Sequence, residues 1–180
     1  MGNSVNKAYT KDDAERLLDD IHNQIQHADN KASVLLAFLG IIVGLTLNAF
    51  TALKQVDFTN DIAISVFVVI FFIFYLLSLI ASLIFEIIVL TARYEISKFK
   101  QYGIERQVFY FGYIGKVGYK KFKADLENLS EEDILQEINS QIVVNSYIAN
   151  KKYKFFNCAL ACSVAVLISA IAVAILTSVL

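Results

Sequence analysis

Two stretches of this chain carry residue types able to recognise a small polar molecule, and neither is arranged for catalysis. The first is Gln24, Gln26, His27, Asp29, Asn30 and Lys31, crowded immediately ahead of an uncharged apolar block. An echo precedes a second such block: Ala28-Asp29-Asn30-Lys31 has its counterpart in Ala149-Asn150-Lys151-Lys152. Lysines in that position anchor a helix at lipid headgroups, with their stems along the hydrocarbon. That accounts for Lys31, Lys151 and Lys152. It accounts poorly for Asp29, Asn30 and Asn150, because a carboxylate gains nothing from anionic lipid. A set holding both donors and acceptors instead reads the edge of a small ligand, or locks neighbouring helices in register. Asp29 and Lys31 stand two apart and so on different faces of a helix, which predicts a separate inter-helix or ligand contact for each. From the residues alone, anchor, ligand site and register lock all stay open.

The second stretch interleaves Phe109, Tyr110, Phe111, Tyr113 and Tyr119 with Arg106, Lys116, Lys120 and Lys121. Rings among cations are what a base and a phosphate require, a stacking face with charge-assisted donors. The same composition also suits an amphipathic insert lying on the inner leaflet, and composition by itself favours that plainer reading.

Catalysis is not expected, and neither is a metal or cofactor. The sequence shows no metal-ligand spacing, no phosphate-cradling glycine loop ahead of a helix, and no nucleophile with a base nearby. His22 and His27 are separated by roughly 140° around a helix, too far to share a metal, and read as solvated or interfacial. Cys158 and Cys162, one helical turn apart in an apolar block, read as packing. A net charge of −1 gives no general attraction to a nucleic acid polymer.

The elements that must position these residues are membrane helices. A hydrophobic fraction of 57% is concentrated in three blocks, Ala32 to Leu53, Ile62 to Leu90, and Phe155 to the C-terminus. The first and third are uncharged, and the second holds Glu86 as its only charge. Each is long enough to cross the roughly 30 Å of a hydrocarbon core. Ala14, Leu18, Ile21, Ile25, Ala28, Ala32 and Leu35 repeat at spacings of four and three, one helical seam entering the first span without a break. Thr10 with Asp13, and Ser130 with Asp133, mark helix starts. The second span is expected to continue through Arg93-Tyr94-Glu95 to about Lys100. Beyond it Gly103, Gly112, Gly115 and Gly118 argue against a long helix, and Val108-Phe109-Tyr110-Phe111 reads as a short strand or a buried turn. The absence of proline suits uninterrupted helices.

The resulting fold class is an all-α integral membrane protein: three transmembrane helices extended into the cytoplasm as long helices, with a short aromatic and basic cytoplasmic insert. Its parts are a disordered lead (1–9), a cytoplasmic helix with the first span (10–53), an external loop (54–61), the second span with its extension (62–100), the aromatic and basic segment (101–129), and a cytoplasmic helix with the third span (130–180). Lysine and arginine crowd the stretch from Arg93 to Lys154, whereas the link from Lys54 to Asp61 holds one lysine and two aspartates. Positive charge stays inside, so the N-terminus is expected in the cytoplasm and the C-terminus outside. No cleaved signal peptide is expected.

Several motifs resemble those of one family. Gln26-His27-Ala28-Asp29-Asn30-Lys31-Ala32-Ser33-Val34-Leu35-Leu36 resembles the opening motif of the membrane effectors of bacterial Pycsar anti-phage systems. Phe109-Tyr110-Phe111-Gly112-Tyr113-Ile114-Gly115 is similar to that family's Phe-Phe-Gly-x-Ile-small element, with Tyr119 where a tyrosine often follows. Glu137 to Tyr153, with Gln141, Ile148-Ala149 and Lys152-Tyr153, matches its closing helix. The likeness runs from about Leu17 to the end of the chain. The family's Arg-Pro-Arg stretch after the second span has no counterpart here, where Arg93 and Arg106 stand singly.

The resemblance implies an anti-phage effector of the bacterial inner membrane; a homo-oligomer is expected because three mostly apolar spans cannot line an aqueous path alone. A partner cyclase would make its cyclic pyrimidine mononucleotide, cyclic UMP or cyclic CMP, and the activated effector would impair membrane integrity and abort the infection. On that reading Arg106, Phe111, Tyr113 and Lys116 are the first candidates for the ligand site, with Asp29, Asn30 and Asn150 as further contacts. Asp29, Lys31, Lys151 and Lys152 are candidates for setting helix register. The alternative is a non-enzymatic membrane scaffold for a partner protein.

Overall fold

Thr10 opens the first helix by a reciprocal cap. Its hydroxyl accepts from the Asp13 N–H at 3.3 Å, and the Asp13 carboxylate takes the Thr10 N–H at 3.1 Å. Helix α1 then runs over Lys11–Leu53. Ala14, Ala28, Ala32, Leu39 and Ile42 are buried along it, and Leu18, Ile21, Ile25 and Leu35 are half-buried, so the seam read from the sequence is the face that packs. The computed structural model describes residues 9–53, 61–92, 108–109 and 111–179. The expected extension from Arg93 to Lys100 lies outside the described residues, as do nearly all of the lead and the external loop.

Helix α2 spans Ile62–Thr91, capped by the Asp61 carboxylate, which accepts from the N–H groups of Ala63 and Ile64. Helix α3 covers Phe111–Glu127, broken at Gly118, whose φ of 72° is one that a side chain would make costly. The glycine-rich segment expected to lack a long helix therefore carries two short helical pieces meeting at that kink. Ahead of it, Val108 and Phe109 form a turn. Helix α4 spans Glu131–Val179, opened by a Ser130–Asp133 cap like that of α1. Among the described residues there is no strand.

The described residues fall into two compact units, to which α1 and α4 each contribute in both. The first takes in the described residues within Met1–Gln26 and Arg93–Asn150. In it the Tyr9 hydroxyl donates to Asn139 at 2.8 Å, and Asn145 lies 3.0 Å from His22 Nε2. The second unit, His27–Ala92 with Lys151–Leu180, is a bundle of three helices. Leu39, Ile42, Tyr75 and Val166 form its core, flanked by Phe72, Leu79, Leu83 and Ala170. Outside, α2 leaves Ile70, Ile73, Phe74, Leu77 and Ile80 more than half exposed, with Val34 and Ile41 on α1 and Ile168 and Ile171 on α4. In water so broad an apolar surface would drive association; in a bilayer it is the face turned to lipid. Among the described residues three helices are long and apolar enough to cross a membrane, Lys11–Thr46, Ile62–Thr91 and Glu131–Ser178. The chain is an all-α membrane protein.

Candidate functional site

The second unit is tied at the Thr91 end of α2 by one lysine. Lys152 of α4 donates to Asp29 of α1 at 2.5 Å and to the Val89 carbonyl of α2 at 2.8 Å. The Val89 carbonyl also accepts from the Ala92 N–H at 3.4 Å, and the end of a helix carries partial negative charge, so an ammonium there is favourably placed. The Lys152 side chain is 6% exposed and that of Asp29 38%, so the pair is open to solvent only on the aspartate's side. One ammonium thus holds three helices. Lys31 points elsewhere and lies over the Tyr153 ring, 5.6 Å from its centroid, a second tie between α1 and α4.

Asn30 and Lys31 border an open groove of about 510 Å³ whose other walls are Val34, Leu35, Phe38 and Phe156. That lining is apolar and offers little to a phosphate. Lys151 and Asn150 are exposed, as is Lys154.

In the first unit, Tyr113 and Lys116 stand one turn apart on the opening turns of α3, hence on neighbouring surface. Tyr113 is half-buried and its hydroxyl donates to Asp125 at 2.5 Å, a bond that spans the kink at Gly118. Lys116 is exposed, and Tyr119 is 80% exposed. Buried Glu137 of α4 takes the Phe109 N–H at 2.5 Å and so fixes the turn that leads into α3. Burial raises the Glu137 carboxyl above the usual range, against the backbone N–H groups of Phe109 and Val108, which pull it down. Arg106 lies outside the described residues, and Phe111 is placed only as the first residue of α3.

The structure therefore brings Asp29 to Lys152 and Lys31 to Tyr153, and sets Tyr113 and Lys116 together on α3. The Pycsar effector protein domain matches residues 13–179, which takes in every one of these residues. The chain belongs to the Pycsar effector family. It is also similar to the Pycsar effector protein GmPycTM of Gulbenkiania mobilis, at 23% identity over 172 residues that cover 86% of each chain. No solved structure matches. Membership assigns an anti-phage effector role at the level of the family, in a chain built for the membrane.

Sequence reasoning passed over two participants. The Val89 carbonyl carries no side-chain signal at all. The other is the inward face of α2, where Tyr75, Ser78, Ser82 and Glu86 follow one another at spacings of three, four and four, all buried. That helical period was readable inside the most apolar block of the chain.

Proposed function

We propose that this chain is a ligand-gated membrane effector: a cyclic pyrimidine mononucleotide binds its cytoplasmic part, and the spans then impair the inner membrane of an infected cell. The observation that carries the reading is the single ammonium of Lys152 joining α1, α2 and α4 where the spans begin. A tie of this kind at one end of the bundle has two arrangements available, made and broken, and a ligand need favour only one of them.

The nucleotide carries one phosphate charge and one flat base. Arg106 and Lys116 supply the cation, and Phe111 and Tyr113 the stacking ring. Stacking contributes roughly 1–3 kcal/mol and a charge-assisted phosphate contact roughly 1.5–3 kcal/mol. Cyclic UMP and cyclic CMP are the two ligands to test. Several copies act together, because three mostly apolar spans do not enclose an aqueous path alone.

Cells producing the protein, with a pyrimidine nucleotide cyclase under separate induction, supply the test through a membrane-potential dye. Depolarisation should follow cyclase induction and vanish with an inactive cyclase. A scaffold would leave the potential unchanged in both, and that result would overturn the reading.

A further inference from the structure

Helix α2 is built inside out relative to a soluble helix. Its lipid-facing side is Ile, Phe, Leu and Val, while the residues it buries are Ser65, Val68, Tyr75, Ser78, Ser82, Glu86 and Val89. From Ser65 to Val89 this polar seam covers roughly 36 Å, the full depth of a hydrocarbon core. Most of it has partners. The Tyr75 hydroxyl is hydrogen-bonded to Thr46 of α1. Ser82 lies 2.8 Å from the Ser163 hydroxyl and donates to the Ala159 carbonyl of α4 at 3.0 Å. Small hydroxyl residues of this kind knit membrane helices together and need no further explanation.

Glu86 does need one. Its side chain is 0% exposed, and neither carboxyl oxygen has a hydrogen-bond partner among the described residues. It stands one turn from Ser82 and about one turn from Val89, whose carbonyl already holds Lys152. A carboxyl sealed from water and from every donor is expensive anywhere, and more so within a membrane helix. Packing gains nothing from it that leucine would not supply. The nearby Asp29 and Lys152 cancel each other's charge, and Glu86 is the one acidic residue in the sequence of α2. Water or a cation reaching it would remove the penalty.

We propose that the inward face of α2 lines the path opened in the activated protein, and that Glu86 makes that path selective for small cations. In an assembly of several copies, Glu86 would recur as a ring of carboxylates, the arrangement that favours cations over anions in channels. Ser82, one turn away on the same face and hydrogen-bonded to Ser163, supplies a hydroxyl oxygen next along that path. This rests on the membrane-impairing function proposed above and names what crosses.

The test is planar-bilayer recording on the purified full-length chain across a KCl gradient, with cyclic UMP or cyclic CMP added. Wild-type current should reverse near the potassium equilibrium potential. Glu86→Gln should shift the reversal potential toward zero, to less than half the wild-type value, and Glu86→Asp should restore it. Glu86→Leu should keep a melting temperature at or above wild type, since it removes a buried orphan carboxyl. The same reversal potential in wild type and Glu86→Gln would overturn the proposal and leave the membrane-impairing function standing. So would a nonselective leak that also passes large dyes, or a fall in melting temperature for Glu86→Leu, which would mark the carboxyl as structural. Absence of any current with both nucleotides would overturn the proposal and that function together.

Discussion

Lys152 is the residue on which the bundle turns, and its partners make its energetics testable. Replacing Asp29 by Asn leaves a nearly buried ammonium with the Val89 carbonyl and no countercharge. The desolvation penalty then stands uncompensated, which costs on the order of 1–3 kcal/mol for a buried polar group. Lys152→Met removes charge and penalty together. Thermal unfolding in detergent should therefore rank Asp29→Asn as the more destabilising single change, with the double variant recovering part of the loss. Additive losses in the double variant would show that the two residues do not act as a pair. Asp29, Lys31 and Lys152 were each legible as singular residues at a helix entry. Their pairing was not, because Lys152 and Asp29 are 123 residues apart and nothing local encodes which helices meet.

At the scale of elements, the long helices were the most readable part of the chain. Capping residues at Thr10 and Ser130, the seam from Ala14 to Leu35, and the absence of proline all point the same way, and local and tertiary preferences agree. Helix α3 was obscured because glycines at 112, 115 and 118 read as breaks, whereas only Gly118 adopts a conformation that demands glycine. The aromatic and basic segment, Arg106 with the first turns of α3, carries a prediction of its own. In calorimetry on the detergent-solubilised chain, Arg106→Ala and Tyr113→Ala should each weaken cyclic UMP or cyclic CMP binding tenfold or more, since roughly 1.4 kcal/mol is a factor of ten. Tyr113→Phe, which keeps the ring and loses only the bond to Asp125, should retain most of the affinity. Unchanged affinity in both alanine variants would move the ligand site away from α3, toward Asp29 and Asn30.

For the whole molecule the open matter is direction across the bilayer. The basic bias between Arg93 and Lys154 predicts a cytoplasmic N-terminus and an external C-terminus. In a background with Cys158 and Cys162 replaced by Ala, cysteine at Gln55 or Asp57 should react with an impermeant thiol reagent on whole cells, and cysteine at Glu127 should not. The opposite pattern would invert the topology and with it the compartment from which a nucleotide reaches the protein.

The central prediction is that this effector, with a cyclic pyrimidine nucleotide and lipid alone, breaches a membrane. Proteoliposomes holding the purified chain and a potassium diffusion potential test it with nothing else present. Adding cyclic UMP or cyclic CMP should collapse the potential within minutes, in proportion to nucleotide until saturation, while empty liposomes hold it. A potential that persists through saturating concentrations of both nucleotides, with the protein shown to be folded and inserted, would contradict the account.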